Sequence, residues 1–206
     1  MFKTIKNNAS SELIEKKSKF IGNIFYIESL EEAEEIIKQI NKKYFDARHN
    51  CYALSVYTEN GVVNRFSDDG EPSGTAGGPM LNILNSKGIS NVLVIVTRYF
   101  GGILLGTGGL VRAYSETANN ALESTEIIQK DLGLEVEFEI SYSDLQKLKY
   151  YFEKQNIKIV DSTFEENVKI IFEITKQNLN NILDNKSNLS FSIINYKILK
   201  DKYIEI

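Results

Sequence analysis

Apolar and polar residues alternate in the first part of the chain with the period of two that is typical of β-strands. Residues 11–27 predict two strands with a turn near Lys17. Residues 49–57 and 62–66 predict a hairpin that turns at Glu59-Asn60-Gly61, because an Asn-Gly pair between two apolar runs is typical of a tight turn. We therefore expect four strands before residue 70.

Apolar residues at helical spacing lie between and after these strands. Ser29 opens a capping box, and a second helix is expected to begin near Thr75 and to end at Gly88. The apolar run from Val92 to Val96 is typical of a strand that is buried on both faces. A third helix follows, with an apolar stripe made of Leu110, Ala113, Tyr114, Thr117, Ala118, Ala121 and Leu122.

The chain from Leu134 onward contains no glycine or proline. Its pattern predicts strands at residues 134–141, 157–164, 168–175 and 191–200, with one helix between the first two strands and another between the last two. The first of these helices is expected to begin with a capping box at Ser143. The resulting βαββαβ order is that of a ferredoxin-like domain.

Gly133 interrupts the chain directly before the region that contains no glycine or proline. We therefore expect two domains, residues 1–130 and 131–206, in an α+β protein. Hydrophobic residues make up 42% of the chain and charged residues 25%, as in ordinary globular proteins. No apolar run approaches the roughly 20 residues that span a bilayer. With Cys51 as the only cysteine and no secretory signal at the start, the sequence predicts a cytoplasmic protein without a membrane partner.

Ten of the 13 glycines and both prolines fall between Arg65 and Ser115. Glycine permits positive φ and close backbone approach, so this clustering predicts shaped loops. The loop before the third helix would present backbone N–H groups at the positive end of a helix dipole, which suits an anion. The residues that we expect to form an anion or nucleic-acid surface are Arg65, Ser73, Gly74, Thr75, Arg98, Gly101, Gly102, Gly106, Thr107, Gly108, Gly109 and Arg112.

The glycines do not form a cofactor motif. Thr107 stands where a Walker A loop has its lysine, and Gly106-Thr107-Gly108 lacks the third glycine of a dinucleotide fingerprint. No cofactor is therefore expected. The alternative for this loop is structural, in that its glycines let a helix pack tightly on a strand.

Two further stretches complete a specific resemblance. With Ser18-Lys19-Phe20-Ile21-Gly22 and His49-Asn50-Cys51-Tyr52-Ala53 before it, the glycine-rich window resembles the IMPACT/YigZ family. The resemblance covers roughly the first 125 residues, and the remainder resembles the small C-terminal domain of bacterial members. It implies an N-terminal domain like one in a small-subunit ribosomal protein and in elongation factor domain IV. It also implies a role in translation or its regulation, without an established reaction.

The sequence departs from the family pattern at Gly78 and Leu104, where the family often has lysine. The loss of two cations weakens the case for binding to a phosphate backbone, and the net charge of −4 does not favour a bulk electrostatic nucleic-acid binder. The three arginines could contact phosphate in two-pronged fashion or pair with the carboxylates of the loop at residues 68–74.

Other candidate chemistry is weak. Asp68, Asp69 and Glu71 could hold a hard cation but are more often solvated or paired, so no metal is expected. His49 and Cys51 share one strand face and are expected to serve packing rather than catalysis. The aromatic residues that could stack on bases are Tyr52, Tyr99, Phe100 and Tyr114, and one of them is expected to be exposed.

These observations favour a non-enzymatic, translation-associated protein that contacts RNA, the ribosome or a ribosome-associated protein. Two alternatives remain open. One is an enzyme that acts on a small phosphorylated substrate, with Arg98 and Arg112 as clamps and an acidic residue such as Asp69 as the base. The other is a protein–protein regulator that binds no nucleic acid.

Overall fold

Residues 1–58 and 60–206 are described by a computed structural model of the protein. Glu59, which belongs to the predicted hairpin turn, lies outside the described residues. The chain divides into an N-terminal unit, Phe2–Gln129, and a C-terminal unit that consists of Lys130–Ile206 together with Met1.

The N-terminal unit begins with three strands and continues with helices interspersed among the remaining strands. In sequence they are β1 (Phe2–Ile5), β2 (Ala9–Glu15), β3 (Ser18–Tyr26), α1 (Leu30–Lys43), β4 (His49–Thr58), β5 (Gly61–Ser67), α2 (Gly77–Lys87), β6 (Val92–Tyr99) and α3 (Thr107–Glu123). Strands β2 to β6 form an antiparallel sheet in the order β2-β3-β6-β4-β5. The predicted α+β class is confirmed.

Strand β6 lies at the centre of this sheet, and both of its faces are buried, as its apolar run predicted. Val92, Val94 and Val96 pack in a cluster with α2 and α3. Leu93 and Ile95 point to the other face and pack in a cluster with α1. Because side chains alternate along a strand, Arg98 lies on the same face as Val96 and therefore on the α2/α3 side.

The helix ends show which local signals were read correctly. Ser29 accepts a hydrogen bond from the N–H of Glu32 at 3.1 Å, which confirms this half of the predicted capping box; the carboxylate of Glu32 accepts from the N–H of Glu28 at 2.7 Å instead of from that of Ser29. Gly88 ends α2 in the left-handed conformation, with φ of 65°, as predicted. Helix α2 begins at Gly77, two residues later than expected from Thr75, and has no side-chain cap at its N-cap residue.

The C-terminal unit has the predicted βαββαβ order. Its elements are β7 (Ile127–Ile140), which begins before the division between the units, α4 (Leu145–Lys154), β8 (Lys158–Phe164), β9 (Val168–Thr175), α5 (Lys176–Asp184) and β10 (Asn195–Glu205). The four strands pair antiparallel in the order β10-β7-β9-β8, which places the first and third strands in the centre. Phe138, Phe152 and Phe172 fill the core between this sheet and its helices.

Two predictions in this unit were wrong. A 3-10 turn at Tyr142–Asp144 precedes α4, and the hydroxyl of Ser143 bonds to that of Ser141, so Ser143 does not cap the helix. The last strand begins at Asn195 rather than at Phe191. Phe191 is apolar and buried, but it packs in the core from the loop before the strand, which burial alone could not distinguish from a strand position.

Candidate functional site

A buried polar cluster lies at the end of the sheet next to the glycine-rich loops. His49 on β4 is paired in register with Arg98 on β6, so their side chains emerge on the same face. Arg98 donates through Nη1 to Oε1 of Glu71 at 2.6 Å, and the hydroxyl of Tyr114 on α3 donates to the same oxygen at 2.9 Å. Nε2 of His49 lies 3.8 Å from that oxygen. Glu71 therefore joins β6 and α3 at one buried carboxylate.

The imidazole of His49 is oriented by the backbone of the acidic loop. Its Nδ1 lies 2.7 Å from the carbonyl oxygen of Asp69. A carbonyl can only accept, so Nδ1 carries the hydrogen and the other ring nitrogen, Nε2, is directed toward Glu71. This contact holds the ring in one orientation beside the cluster.

The other two carboxylates of the loop serve the backbone. Asp68 accepts hydrogen bonds from the N–H groups of Gly74, Ala76 and Gly77 at 2.8–3.0 Å. Asp69 accepts from the N–H of Asn50 at 2.6 Å. The carboxylates thus point to separate partners, and the described residues contain no group of three His, Cys, Asp or Glu that could hold a metal ion.

Helix α3 differs from α2, because among the described residues no side chain accepts hydrogen bonds from its first backbone N–H groups. Gly106 precedes it with φ of 73° and provides no side-chain cap. In residues 1–58 and 60–206, no acceptor bonds to the N–H groups of Thr107, Gly108 or Gly109, whereas the N–H of Leu110 bonds to the carbonyl of Gly106 at 2.9 Å. Unpaired N–H groups at a helix N-terminus attract an anion through hydrogen bonds and the helix dipole.

Internal geometry explains most of the glycines in this loop. A Cβ at Gly101 would overlap the backbone of Lys17 and Ser18, and the N–H of Gly101 donates to the hydroxyl of Ser18 at 3.1 Å. Gly102 and Gly106 have φ of 84° and 73°, which favour glycine.

Gly108 differs from these residues. Its φ is not positive, and a Cβ there would meet no heavy atom within 4 Å. A glycine inside a helix costs roughly 0.5–1 kcal/mol relative to alanine. Gly108 is only the second residue of α3, and among the described residues no neighbour requires a glycine at this position.

A cavity of about 390 Å³ opens between the buried cluster and the start of α3. Its floor contains Glu71 and Arg98, which are 8% and 5% exposed. Its rim contains Arg48, Gly106 and Thr107, all exposed. Apolar side chains of the loop before α3 complete the wall: Phe100, Leu104 and Leu105.

The structure brings only part of the predicted site together. Arg98, Gly106 and Thr107 line the cavity, and Gly108 and Gly109 continue the first turn of α3. Arg65 is exposed and lies on the opposite face of the sheet. It is paired in register with Leu54, which packs with α1, and its Nη1 lies 3.3 Å from Glu34 of α1.

The predicted loop at residues 73–75 is engaged internally. Besides the contact of Gly74 with Asp68, the N–H and the hydroxyl of Thr75 both bond to the carbonyl of Pro72, at 3.1 and 2.6 Å. Ser73 is exposed, but neither it nor Thr75 caps α2, because the carboxylate of Asp68 occupies that role.

Arg112 lies one turn beyond Gly109 on α3. It is exposed, and it makes no hydrogen bond or ion pair within the part of the chain that the structure describes. With Gly109 it lines a smaller cavity of about 140 Å³. We refer to the N–H groups of Thr107, Gly108 and Gly109, together with the side chains of Arg48 and Arg112, as the α3 N-terminal surface.

Sequence reasoning missed Arg48, whereas the contact of Arg98 with Glu71 is the internal pairing that the sequence left open for the arginines. Arg48 directly precedes the His49 motif, and the position of that motif at the start of a strand was the available signal. Of the four aromatic candidates, Tyr114 is fully buried and Phe100 is 42% exposed at the cavity. Phe100 is therefore the aromatic side chain of the set that can stack on a ligand in this cavity.

Burial keeps Cys51 and Tyr114, which lie behind the cavity, in their neutral forms. Burial raises the pKa of the Cys51 thiol to about 12, and its Sγ lies 2.9 Å from the carbonyl oxygen of Asp68. Burial, with Cys51 and Glu71 nearby, also raises the pKa of Tyr114 far above its ordinary value. A thiol with so high a pKa is a poor nucleophile at neutral pH.

Fold and site together define a two-unit α+β protein with a cavity beside the start of α3 in its first unit. The model of the Impact N-terminal domain matches residues 16–122, and that of a domain of unknown function, DUF1949, matches residues 138–184. In the described residues, every helix is too short or too polar to cross a membrane.

The chain belongs to the IMPACT family. It is 36% identical over 166 residues to the IMPACT family member YvyE of Bacillus subtilis, covering 81% of this chain and 76% of that protein. It is also 36% identical over 151 residues to the IMPACT family member YigZ of Escherichia coli, covering 73% and 74%. A crystal structure of a hypothetical protein aligns with a TM-score of 0.64 and 29% identity, covering 100% of this chain and 97% of that one.

Proposed function

We propose that the protein acts in the regulation of translation and contacts RNA, on the ribosome or associated with it, through the α3 N-terminal surface. The role in translation is the one that the family resemblance implies, and it would place the protein in the cytoplasm. The contact surface is supported by one observation above all: three N–H groups at the start of a 17-residue helix have no acceptor among the described residues.

Two arginines of this surface can contact an anion, although Glu15 and Glu116 line the smaller cavity beside Arg112. Arg48 and Arg112 are exposed and have no carboxylate partner within the described residues. Arginine binds phosphate with a planar fork of donors, and the helix dipole adds partial positive charge. Arg98 has a different place in the proposal, because its contact with Glu71 makes it part of the buried floor.

The test is co-sedimentation of purified protein with ribosomes at several salt concentrations. Arg48→Ala and Arg112→Ala should each weaken binding and lower the salt slope by about one unit for each phosphate contact removed. Arg65→Ala is the matched control, because it removes the same side chain from the opposite face of the sheet. Equal binding by all three variants and the unaltered protein would refute the assignment of the surface.

The same experiment separates the alternatives. A mainly apolar protein partner would give binding that persists at high salt and survives ribonuclease treatment. For an enzyme that acts on a small phosphorylated substrate, the sequence offered an acidic residue such as Asp69 as the base. Asp69 is absent from the lining of the cavity and accepts from the N–H of Asn50, so the geometry does not support Asp69 in that role.

A further inference from the structure

The floor of the cavity carries a hydrogen-bond donor and acceptor side by side. Nη1 of Arg98 donates to Oε1 of Glu71, and the same carboxylate oxygen also accepts from the hydroxyl of Tyr114. Over residues 1–58 and 60–206, neither Nη2 of Arg98 nor Oε2 of Glu71 has a protein partner. Since both residues line the cavity, a ligand that both donates and accepts hydrogen bonds would complete this pair.

A second nitrogen of the Arg98 guanidinium also lacks a hydrogen-bond partner among the described residues. This nitrogen is Nε, which is fully buried. The group lies between two aromatic rings, with its central carbon 5.5 Å from the ring centroids of Phe20 and Phe100. Buried donors are almost always paired in native proteins, so the unpaired Nε–H of Arg98 is an exception within this core.

The floor of the cavity is unsuitable for an anionic ligand, because it already contains the carboxylate of Glu71. The carboxylate of Glu71 already offsets the charge of Arg98, and an incoming phosphate would face that carboxylate directly. The rim is different, because it combines the side chain of Arg48 with the N–H groups at the start of α3. A ligand that fits both regions has a neutral, hydroxyl-bearing part at the floor and an anionic part at the rim.

The wall indicates a flat apolar body between these ends. Phe100 is 42% exposed and Leu104 is 82% exposed at the mouth of the cavity. Exposed aromatic rings beside a cationic groove are typical of sites that stack nucleobases. The volume of about 390 Å³ is at the lower end of the range for small-molecule sites, which suits one nucleotide.

Resting on the proposed function, we infer that the cavity binds a single ribonucleotide with its 2′,3′-diol at the Glu71–Arg98 floor. The 5′-phosphate lies on the N–H groups of Thr107 and Gly108 beside Arg48, and the base stacks on Phe100. One diol can donate to Glu71 and accept from Arg98 at once. In an RNA chain, only the 3′-terminal nucleotide presents such a diol together with a 5′-linked phosphate.

Equilibrium dialysis with defined ligands tests this inference. The probes are adenosine 5′-monophosphate, its 2′,3′-dideoxy analogue, and a single-stranded tetraribonucleotide that ends in either a free diol or a 3′-phosphate. We expect the dideoxy analogue and the 3′-phosphorylated RNA to bind about 10- to 100-fold more weakly than their diol counterparts, because they leave the floor pair unsatisfied. Equal binding within each pair, or no binding of any probe, would overturn the inference.

Comparing adenosine 5′-monophosphate with the diol-ended RNA shows whether the cavity binds a free nucleotide or the end of an RNA chain. Binding of the monophosphate that matches or exceeds that of the diol-ended RNA identifies a free nucleotide, and tighter binding of the RNA identifies a chain end. Gly108→Asp should weaken both ligands at least 10-fold, because it places a carboxylate beside the phosphate. Gln177→Asp, at the second residue of α5, adds the same charge elsewhere and should leave binding unchanged.

The outcomes also separate this inference from the proposed function. Ribosome co-sedimentation that depends on Arg48 and Arg112, without binding of any nucleotide probe, removes the nucleotide assignment and keeps the proposed function. Diol-dependent nucleotide binding without co-sedimentation keeps the assignment of the cavity and removes the role on the ribosome.

Discussion

Replacing Gly108 by aspartate should stabilise the fold and weaken ligand binding at the same time. Gly108 is the second residue of α3, and a Cβ there meets no heavy atom within 4 Å. Aspartate has a higher helix propensity than glycine by a few tenths of a kcal/mol. A carboxylate in the first turn of a helix contributes about 0.3–1 kcal/mol through the dipole. The free energy of unfolding should therefore rise by about 1 kcal/mol, and Tm by a few degrees.

The effect on binding has the opposite sign. A carboxylate and a phosphate about 5 Å apart repel by about 3 kcal/mol per unit charge at an effective dielectric of about 20. Exposure to solvent reduces this value, because water and salt screen charges at a protein surface. A loss of about 1.4–2.8 kcal/mol remains, which corresponds to about 10- to 100-fold in Kd.

Thermal unfolding and ribosome co-sedimentation of the same preparation measure both quantities. The matched control is Gln177→Asp, which makes the same change in net charge at the same helix position in α5. Gly108→Ala adds a Cβ without charge and should raise Tm with a smaller loss of binding, set by how closely the ligand approaches the backbone. A variant Gly108→Asp that is more stable yet binds like the unaltered protein would refute the reasoning, because its carboxylate would then lie away from any bound anion.

Three further results are expected. Arg98→Ala should lower the free energy of unfolding by about 3–5 kcal/mol, because it leaves Glu71 buried without its partner. The control is Arg65→Ala, at an exposed position, which should change stability by less than about 0.5 kcal/mol. Urea unfolding measures both variants, and similar losses would contradict the role of the buried pair. Asp68→Ala removes the acceptor of three backbone N–H groups and should cost about 2–4 kcal/mol in the same assay, so a cost below about 1 kcal/mol would speak against it as the cap of α2. The pKa of Cys51 is raised from 9.0 to about 12 in the folded state, so the thiol of the unfolded chain ionises first as pH rises. Stability should therefore fall by about 1.4 kcal/mol per pH unit above pH 9. Cys51→Ala should remove this part of the pH dependence, and an unchanged slope in the variant would refute the contribution of Cys51.

Local sequence determined the elements that depend on periodicity and caps. The uninterrupted apolar run at Val92–Val96 could only be satisfied by helices on both sides of a strand, and α1 with α2 and α3 provide them. Ser29 and Gly88 act through neighbours within four residues, so their signals are readable without a fold. The order of elements after Leu134 was predicted for the same reason.

Tertiary structure alone decided which of the predicted site residues share a surface. Arg65 and Arg98 have similar local contexts, yet the register of β5 against β4 places Arg65 on the α1 face. Gly101 could not be told from Gly108 in sequence, because the chain that Gly101 packs against is 83 residues away. Charge pairing across such distances depends on strand register and helix packing, and neither is encoded in the residues adjacent to the site.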